Sequence, residues 1–128
     1  MIIRNANDII TLLNGRMSDL MDEQLTVVCL NHGGKVISAN FEVTKGTDTC
    51  CPISVKQIAR IAVLEYASGV ILIHNHPSGD PRPSKADVEQ TAKVREGLKL
   101  LDIDLMDHII IGDGNYFSFC DDKVHNIL

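Results

Sequence analysis

Two histidines that flank a single asparagine, His74 and His76, close an uninterrupted apolar run, Val70-Ile71-Leu72-Ile73. The run is short, rich in β-branched residues and preceded by Gly69, which is typical of a buried β-strand. Side chains two positions apart on a strand share a face, so we expect both imidazoles to converge on one place while Asn75 points away.

A turn rich in proline and glycine separates the histidines from Ser84 and Asp87. Because these residues forbid a helix before Ser84, the sequence predicts a helix that begins there and carries Asp87 in its first turn. Two neutral imidazole nitrogens and one carboxylate make three ligands, the number that leaves a zinc ion one open position for water. We therefore expect His74, His76 and Asp87 to form a catalytic zinc site.

The same residues also fit a structural interpretation. Ser84 and Asp87 have the spacing of a capping motif, in which the serine accepts from the backbone three residues on and the acid reaches back. A single buried histidine is also more often hydrogen-bonded in a core than bound to a metal. The conjunction of H-x-H at a strand end with S-x-x-D at the next helix start favours the metal site.

The arrangement His74-x-His76, then seven residues, Ser84, two residues and Asp87 resembles the H-x-H-x7-S-x-x-D signature of the JAMM (MPN-type) metalloproteases. The bacterial RadC family is more similar still, through residues 74–80, 83–84, 107–112 and 116–119. The similarity extends from about Glu23 to Phe119. It implies a three-layer α/β sandwich of the JAB/MPN, cytidine-deaminase-like type, and a zinc metallopeptidase or isopeptidase acting on a peptide or protein.

The resemblance also implies two catalytic residues. Glu23 precedes the strand-like segment 25–30, where the family has a glutamate that takes a proton from the attacking water and delivers it to the leaving amine. Ser84 matches the family serine that stabilises the oxyanion. Without the resemblance, the sequence favours a Glu23 that merely solvates the junction of a helix and a strand.

Metal-bound imidazoles usually donate their other nitrogen to a carboxylate or carbonyl, so a second layer of contacts is expected around the ligands. Asp80, Asp107 and His108 are the candidates for this role. Each is explained equally well as a turn or strand-end residue.

At 128 residues and 45% hydrophobic, the chain fits one domain over residues 1–128, with a core at about 23–119. Longer RadC-like proteins carry an N-terminal helical module that we expect this domain to lack. A net charge of -5 argues against a protein that tracks the DNA phosphate backbone. A local basic strip is conceivable on the helix after the motif, although a solvated helix face explains it as well. Its residues are Arg82, Lys85, Lys93, Arg95 and Lys99.

Neither a signal peptide nor a membrane span is visible, so we expect a cytoplasmic protein. The four cysteines, Cys29, Cys50, Cys51 and Cys120, form no C-x-x-C pair and are expected to be reduced. Cys29 is predicted to lie in the core, and Cys50 and Cys51 are assigned no role.

Periodicity and turn residues predict the remaining elements. A first helix capped by Asp8 carries Ile9, Leu12, Leu13, Met17 and Leu20, and a second is opened by a capping box of Ser54 and Gln57. Strands are predicted at 25–30 and 35–43, joined at Gly33-Gly34, and at 70–74, 105–111 and 116–119, with a helix at 85–101 and a loosely held tail from Cys120. Together they give an α/β sandwich with a mixed sheet flanked by helices.

Three functions remain open from the sequence. The first is a zinc-dependent peptidase or isopeptidase. The second is a DNA-repair or anti-restriction module without proteolysis, which would bind DNA in a salt-sensitive way. The third is an inert scaffold, which is disfavoured because every position of the metal motif is filled.

Overall fold

The computed structural model describes residues 1–13, 22–45 and 53–127, so predictions for Met17, Leu20, Cys50 and Cys51 lie outside the described residues. None of the helices in these ranges has the length and apolar character of a membrane-spanning segment. The elements in chain order are α1 (Ala6–Leu13), β1 (Gln24–Leu30), β2 (Val36–Lys45), α2 (Val55–Leu64), β3 (Gly69–Asn75), α3 (Lys85–Lys99), β4 (Asp104–Ile111), β5 (Asn115–Ser118) and β6 (Lys123–Asn126).

The strands of the described residues form one mixed sheet in the order β2-β1-β3-β4-β5-β6. β3 and β4 are parallel and are connected through α3, whereas the other neighbouring pairs are antiparallel. The hairpin predicted between β1 and β2 is present. Asn31 closes its turn, because its side-chain oxygen accepts from the backbone N–H groups of Gly33 and Lys35.

Helices cover both faces of the sheet. α2 and α3 pack on one face through a cluster that includes Ile58, Leu72 and Leu98. α1 packs on the opposite face through a cluster that includes Ile9 and Ile73. β3 is buried at every residue, which explains its continuous apolar sequence. The predicted three-layer α/β sandwich with a mixed sheet is therefore confirmed.

Two of the predicted helix starts need correction. Asp8 lies inside α1, and Asn5 takes the capping role, because its side-chain oxygen accepts from the Asp8 backbone N–H at 3.1 Å. Ser54 caps α2 as predicted and accepts from the Gln57 backbone N–H at 3.2 Å. The Gln57 side chain, however, donates to the Val43 carbonyl at 2.8 Å. It ties α2 to β2 instead of reaching back along its own helix.

Residues 123–126 join the sheet as a strand, which the sequence does not predict. β6 pairs antiparallel with β5, and the His125 ring stacks on Tyr116 with centroids 4.9 Å apart. The His125 Nε2 atom also lies 2.7 Å from an oxygen of Asp121. The prediction of a loose tail was wrong because these contacts join polar residues that carry no apolar strand pattern.

Close backbone contacts seat the loop after β3 on the turn after β4. The His76 N–H donates to the Ile111 carbonyl at 2.8 Å, and the Asp113 N–H donates to the Gly79 carbonyl at 2.9 Å. A Cβ atom on Gly112 would collide with that same Gly79 carbonyl. Only glycine permits this approach, so the position of the His76 loop depends on it.

The substitution Gly112→Ala is expected to lower the free energy of unfolding by about 1–3 kcal/mol, because the added methyl group must push the His76 loop away. Gly33→Ala is the matched control, since its nearest neighbouring atom would lie at an ordinary 3.5 Å. Urea denaturation of both variants tests this. Equal stability of Gly112→Ala and Gly33→Ala would contradict the steric argument.

Candidate metal centre

The three predicted ligands come together where β3 ends and α3 begins. His74 is the penultimate residue of β3, His76 follows the strand, and Asp87 lies on the first turn of α3. One ligand atom from each residue lies within 4.8 Å of the others. The His74 side chain is fully buried, whereas those of His76 and Asp87 are each 13% exposed.

The spacing of these atoms suits a small metal ion with tetrahedral coordination. The His76 Nε2 atom lies 3.1 Å from both His74 Nε2 and Asp87 Oδ2, and His74 Nε2 lies 3.5 Å from Asp87 Oδ1. Two ligands bound tetrahedrally to zinc, each roughly 2.0–2.1 Å from it, are about 3.3 Å apart. The observed distances lie on either side of this value, and the donor set of two nitrogens and one oxygen fits a divalent metal ion.

The capping interpretation and the metal interpretation describe the same residues. The Ser84 hydroxyl accepts from the Asp87 N–H at 3.1 Å, and the Asp87 Oδ2 atom accepts from the Ser84 N–H at 2.8 Å, which completes a capping box. That box holds the Asp87 carboxylate at the helix start, where it also faces the histidines. The sequence presented the two roles as alternatives, and the geometry allows both.

The charges in the site support one another. Burial alone would raise the pKa of Asp87, but the adjacent His74 and His76 imidazoles outweigh it and hold that pKa well below its usual value. Burial would likewise lower the pKa of His76, but its bonds to the Asp87 carboxylate and the Asp80 backbone raise it. Asp87 therefore stays an anion at neutral pH and attracts cations to this position.

The ring nitrogen of His76 that faces away from the other two ligands contacts a backbone carbonyl, one of the two expected kinds of partner. His76 Nδ1 lies 2.8 Å from the Asp80 carbonyl oxygen. The Asp80 carboxylate turns outward and pairs with the Arg82 guanidinium at 2.9 Å, which lowers the pKa of Asp80 to about 2. Of the proposed roles for Asp80, the structure supports a carbonyl partner for His76.

The outer nitrogen of His74 contacts a second buried histidine. His74 Nδ1 lies 2.6 Å from His108 Nε2, and His108 Nδ1 lies 2.6 Å from the Thr91 hydroxyl oxygen. The Thr91 hydroxyl also donates to the Asp87 carbonyl at 2.6 Å. Thr91 was not predicted from the sequence, although it is a polar residue on the buried stripe of α3 with Val94, four residues after Asp87.

Asp107, the third candidate for the outer layer, has a structural role. It accepts hydrogen bonds from the Ser118 hydroxyl at 2.6 Å and from the backbone N–H groups of His108 and Cys120 at 2.8 and 3.0 Å. Burial raises the pKa of Asp107 despite these bonds. The residue joins β4 to β5 and to the segment that follows.

Glu23 immediately precedes β1 and is only 9% exposed. Leu25, two residues after Glu23, lies opposite His74 in the β1–β3 pair. Because side chains alternate along an extended chain, Glu23 lies on the same face as Leu25. Burial raises the pKa of Glu23, the nearby histidines lower it, and Asp87 raises it. The carboxylate thus shares the electrostatic environment of all three ligands.

Asn75 holds the backbone on both sides of Glu23. Its side-chain oxygen accepts from the Gln24 N–H at 2.8 Å, and its side-chain nitrogen donates to the Asp22 carbonyl at 3.0 Å. The residue points away from the histidines, as predicted. No role for this asparagine was predicted from the sequence, although a buried amide at a strand end signals a partner elsewhere in the chain.

A family model described as a RadC-like JAB domain matches residues 3–124. The chain is 40% identical over 116 residues to a UPF0758 protein of Methanococcoides burtonii, which covers 91% of this chain and 50% of the relative. A UPF0758 protein of Chlorobaculum parvum is 39% identical over 126 residues, or 98% of this chain and 55% of the relative. The chain thus spans about half the length of these curated relatives.

The substitution Asn75→Ala is expected to lower the free energy of unfolding by about 1–3 kcal/mol, because it removes the acceptor of the buried Gln24 N–H. It should also reduce the protection of the Gln24 amide against hydrogen exchange, as measured by NMR. Asn75→Asp is the matched control for the Gln24 amide, since it keeps the acceptor for Gln24 and replaces the donor to Asp22 with a charged oxygen. If protection of the Gln24 amide is unchanged in Asn75→Ala, Asn75 does not hold the backbone beside Glu23.

Asp107 gives a prediction for the pH dependence of stability. Because its folded-state pKa is raised, the unfolded state ionises first, and stability is lost as pH rises through the folded-state pKa. Asp107→Asn keeps an acceptor for both N–H groups but does not ionise. Urea denaturation should therefore show its stability gaining on the wild type as the pH rises from about 4 toward neutrality. If the stability difference instead shifts in favour of the wild type as the pH rises, the raised pKa of Asp107 is contradicted.

Proposed function

The chain belongs to the RadC-like JAB domain family, and we propose that it is a zinc-dependent hydrolase of peptide or isopeptide bonds. The observation that carries the proposal is the convergence of His74, His76 and Asp87 within 4.8 Å at the end of a buried strand. Two imidazoles and a carboxylate are the ligand types of catalytic zinc sites. The ion that we propose for this site is zinc rather than another divalent metal.

When bound, a zinc ion would supply a Lewis acid for the substrate carbonyl and would lower the pKa of water to about 7. Glu23 takes up the proton that the water loses as its oxygen bonds to the carbonyl carbon. The same carboxyl group then gives that proton to the amine nitrogen as the C–N bond breaks. Burial raises the pKa of Glu23, which makes its carboxylate a stronger proton acceptor in the first half of this transfer.

Ser84 is proposed to stabilise the carbonyl oxygen as that atom gains negative charge. The capping bond uses a lone pair of the hydroxyl oxygen, so the hydroxyl hydrogen can still be donated to the substrate. The position at the start of α3 adds the positive end of the helix dipole. An oxyanion donor of this kind lowers the activation barrier by about 3 kcal/mol in other enzymes.

The surface charge favours a peptide over a nucleic acid. The Arg82 guanidinium forms two bonds with Asp80, at 3.0 and 2.9 Å, which compensate its charge. Along α3, basic residues alternate with acidic ones such as Glu89 and Glu96, so no uniform strip results. We therefore rank the DNA-associated alternative second. A cytoplasmic location belongs to the same proposal.

The proposal is tested by metal analysis of the purified protein together with a peptide-library cleavage assay, run with and without a chelator. Glu23→Gln is expected to reduce turnover by about 10²- to 10⁴-fold while leaving bound zinc unchanged, because it removes the proton acceptor but no ligand. His76→Ala should lose both zinc and turnover. Glu96→Gln, an exposed change near the end of α3, is the matched control and should match the wild type.

Cleavage that survives the chelator would exclude the metallopeptidase. Stoichiometric zinc without cleavage of any peptide, combined with DNA binding that weakens steeply as salt rises, would favour the DNA-associated module. Protein that contains no metal under saturating zinc would favour the scaffold.

A further inference from the structure

We infer that Thr91 and His108 are positioning residues that fix the tautomer of His74, so that its Nε2 atom presents a lone pair toward Asp87 and His76. The inference deepens the proposed function, since it concerns how the same site is prepared for a cation. The tautomer itself is a property of the metal-free protein and can be measured separately.

The direction of the hydrogen bonds starts from Thr91. Its hydroxyl has one hydrogen, and the Asp87 backbone carbonyl 2.6 Å away can only accept. The hydroxyl hydrogen therefore lies on the bond to Asp87. The Thr91 oxygen must then accept from its other neighbour, His108 Nδ1, also at 2.6 Å.

The same logic continues through the two rings. A neutral His108 with its hydrogen on Nδ1 has only a lone pair on Nε2, so His74 Nδ1 must donate across the 2.6 Å contact. A neutral His74 with its hydrogen on Nδ1 carries its lone pair on Nε2. That atom is the one that lies 3.5 Å from Asp87 Oδ1 and 3.1 Å from His76 Nε2.

Burial keeps this arrangement from reversing. His74 and His108 are both 0% exposed, so water cannot supply replacement partners. The Phe119 ring stacks on His108 at 4.9 Å with an interplanar angle of 8°, which limits rotation of the imidazole. Reversal would take the Thr91 hydrogen from the Asp87 carbonyl and would place a hydrogen on the metal-facing nitrogen of His74.

The chain of hydrogen bonds begins and ends at Asp87. Asp87 supplies its carbonyl to Thr91 and its carboxylate to the proposed metal site. The start of α3 thus sets the position of one ligand and, through Thr91 and His108, the hydrogen position of another. Orientation of ligand imidazoles by such outer contacts typically changes metal affinity by about 10- to 100-fold.

The test is ¹⁵N NMR of the histidine rings in metal-free protein, paired with zinc affinity measured by competition with a chromophoric chelator. Wild-type His74 should carry its hydrogen on Nδ1. Thr91→Val removes the acceptor for His108 at nearly constant shape, so it should populate the other His74 tautomer and weaken zinc binding by about 10-fold or more. Thr91→Ser keeps the hydroxyl and should restore both the tautomer and the affinity.

A second pair of variants covers the case in which Thr91→Val does not fold. His108→Gln retains a side-chain oxygen that can accept from His74 Nδ1, whereas His108→Leu does not. Zinc affinity close to wild type in the glutamine variant and at least about 10-fold weaker in the leucine variant supports the inference.

Wild-type protein with the His74 hydrogen on Nε2, or equal zinc affinity within each variant pair, would overturn it. If the expected tautomer is found in a protein that cleaves no peptide, the inference survives and only the proposed function fails.

Discussion

Asp87 contributes its carboxylate both to the cap of α3 and to the candidate metal site, and its backbone carbonyl to Thr91. The geometry of the site depends on all of these contacts forming together. One oxygen completes the capping box with Ser84 and faces His76, while the other faces His74. The backbone carbonyl receives the Thr91 hydroxyl. Because a capping box fixes its acid within the first helical turn, the local rule that starts α3 also sets the distance from this carboxylate to the histidines.

The sheet provides the other half of the geometry. In the parallel β3–β4 pair, Leu72 lies opposite His108 and His74 lies opposite Ile110. Residues two apart on a strand share a face, so His108 is a diagonal neighbour of His74 on the side covered by α2 and α3. The antiparallel β1 then brings Leu25 opposite His74, which carries Glu23 to the same end of the sheet. Both arrangements require β3 to lie between β1 and β4.

The parts of the fold and site that could be predicted are those encoded within a short stretch of chain. The strand 70–74, the proline-rich turn and the cap at Ser84 are local, so spacing alone was enough to expect the meeting of His74, His76 and Asp87. Gly33-Gly34 likewise predicted the hairpin.

Contacts between distant segments were not predictable in the same way. The bonds from Asn75 to the segment around Glu23 span more than fifty positions. Thr91 and His108 meet only after β4 takes its place beside β3. Glu23 was identified through family resemblance because a lone acid before a strand carries no specific signal. Asp8 was wrongly predicted as a cap because Asn5, three residues earlier, supplies it. The Gln57 side chain was wrongly placed because it donates to Val43 on β2, which is distant in sequence.

The unequal exposure of the three candidate ligands has a kinetic consequence. His74 is sealed behind the sheet and α3, while His76 and Asp87 each retain a small accessible surface. In the part of the chain that the structure describes, the opening beside those two side chains, next to the exposed Ser84, therefore gives an ion access to the site. A polypeptide lying across that opening would obstruct this route of release, so occupancy by the proposed substrate and retention of the cation would reinforce each other.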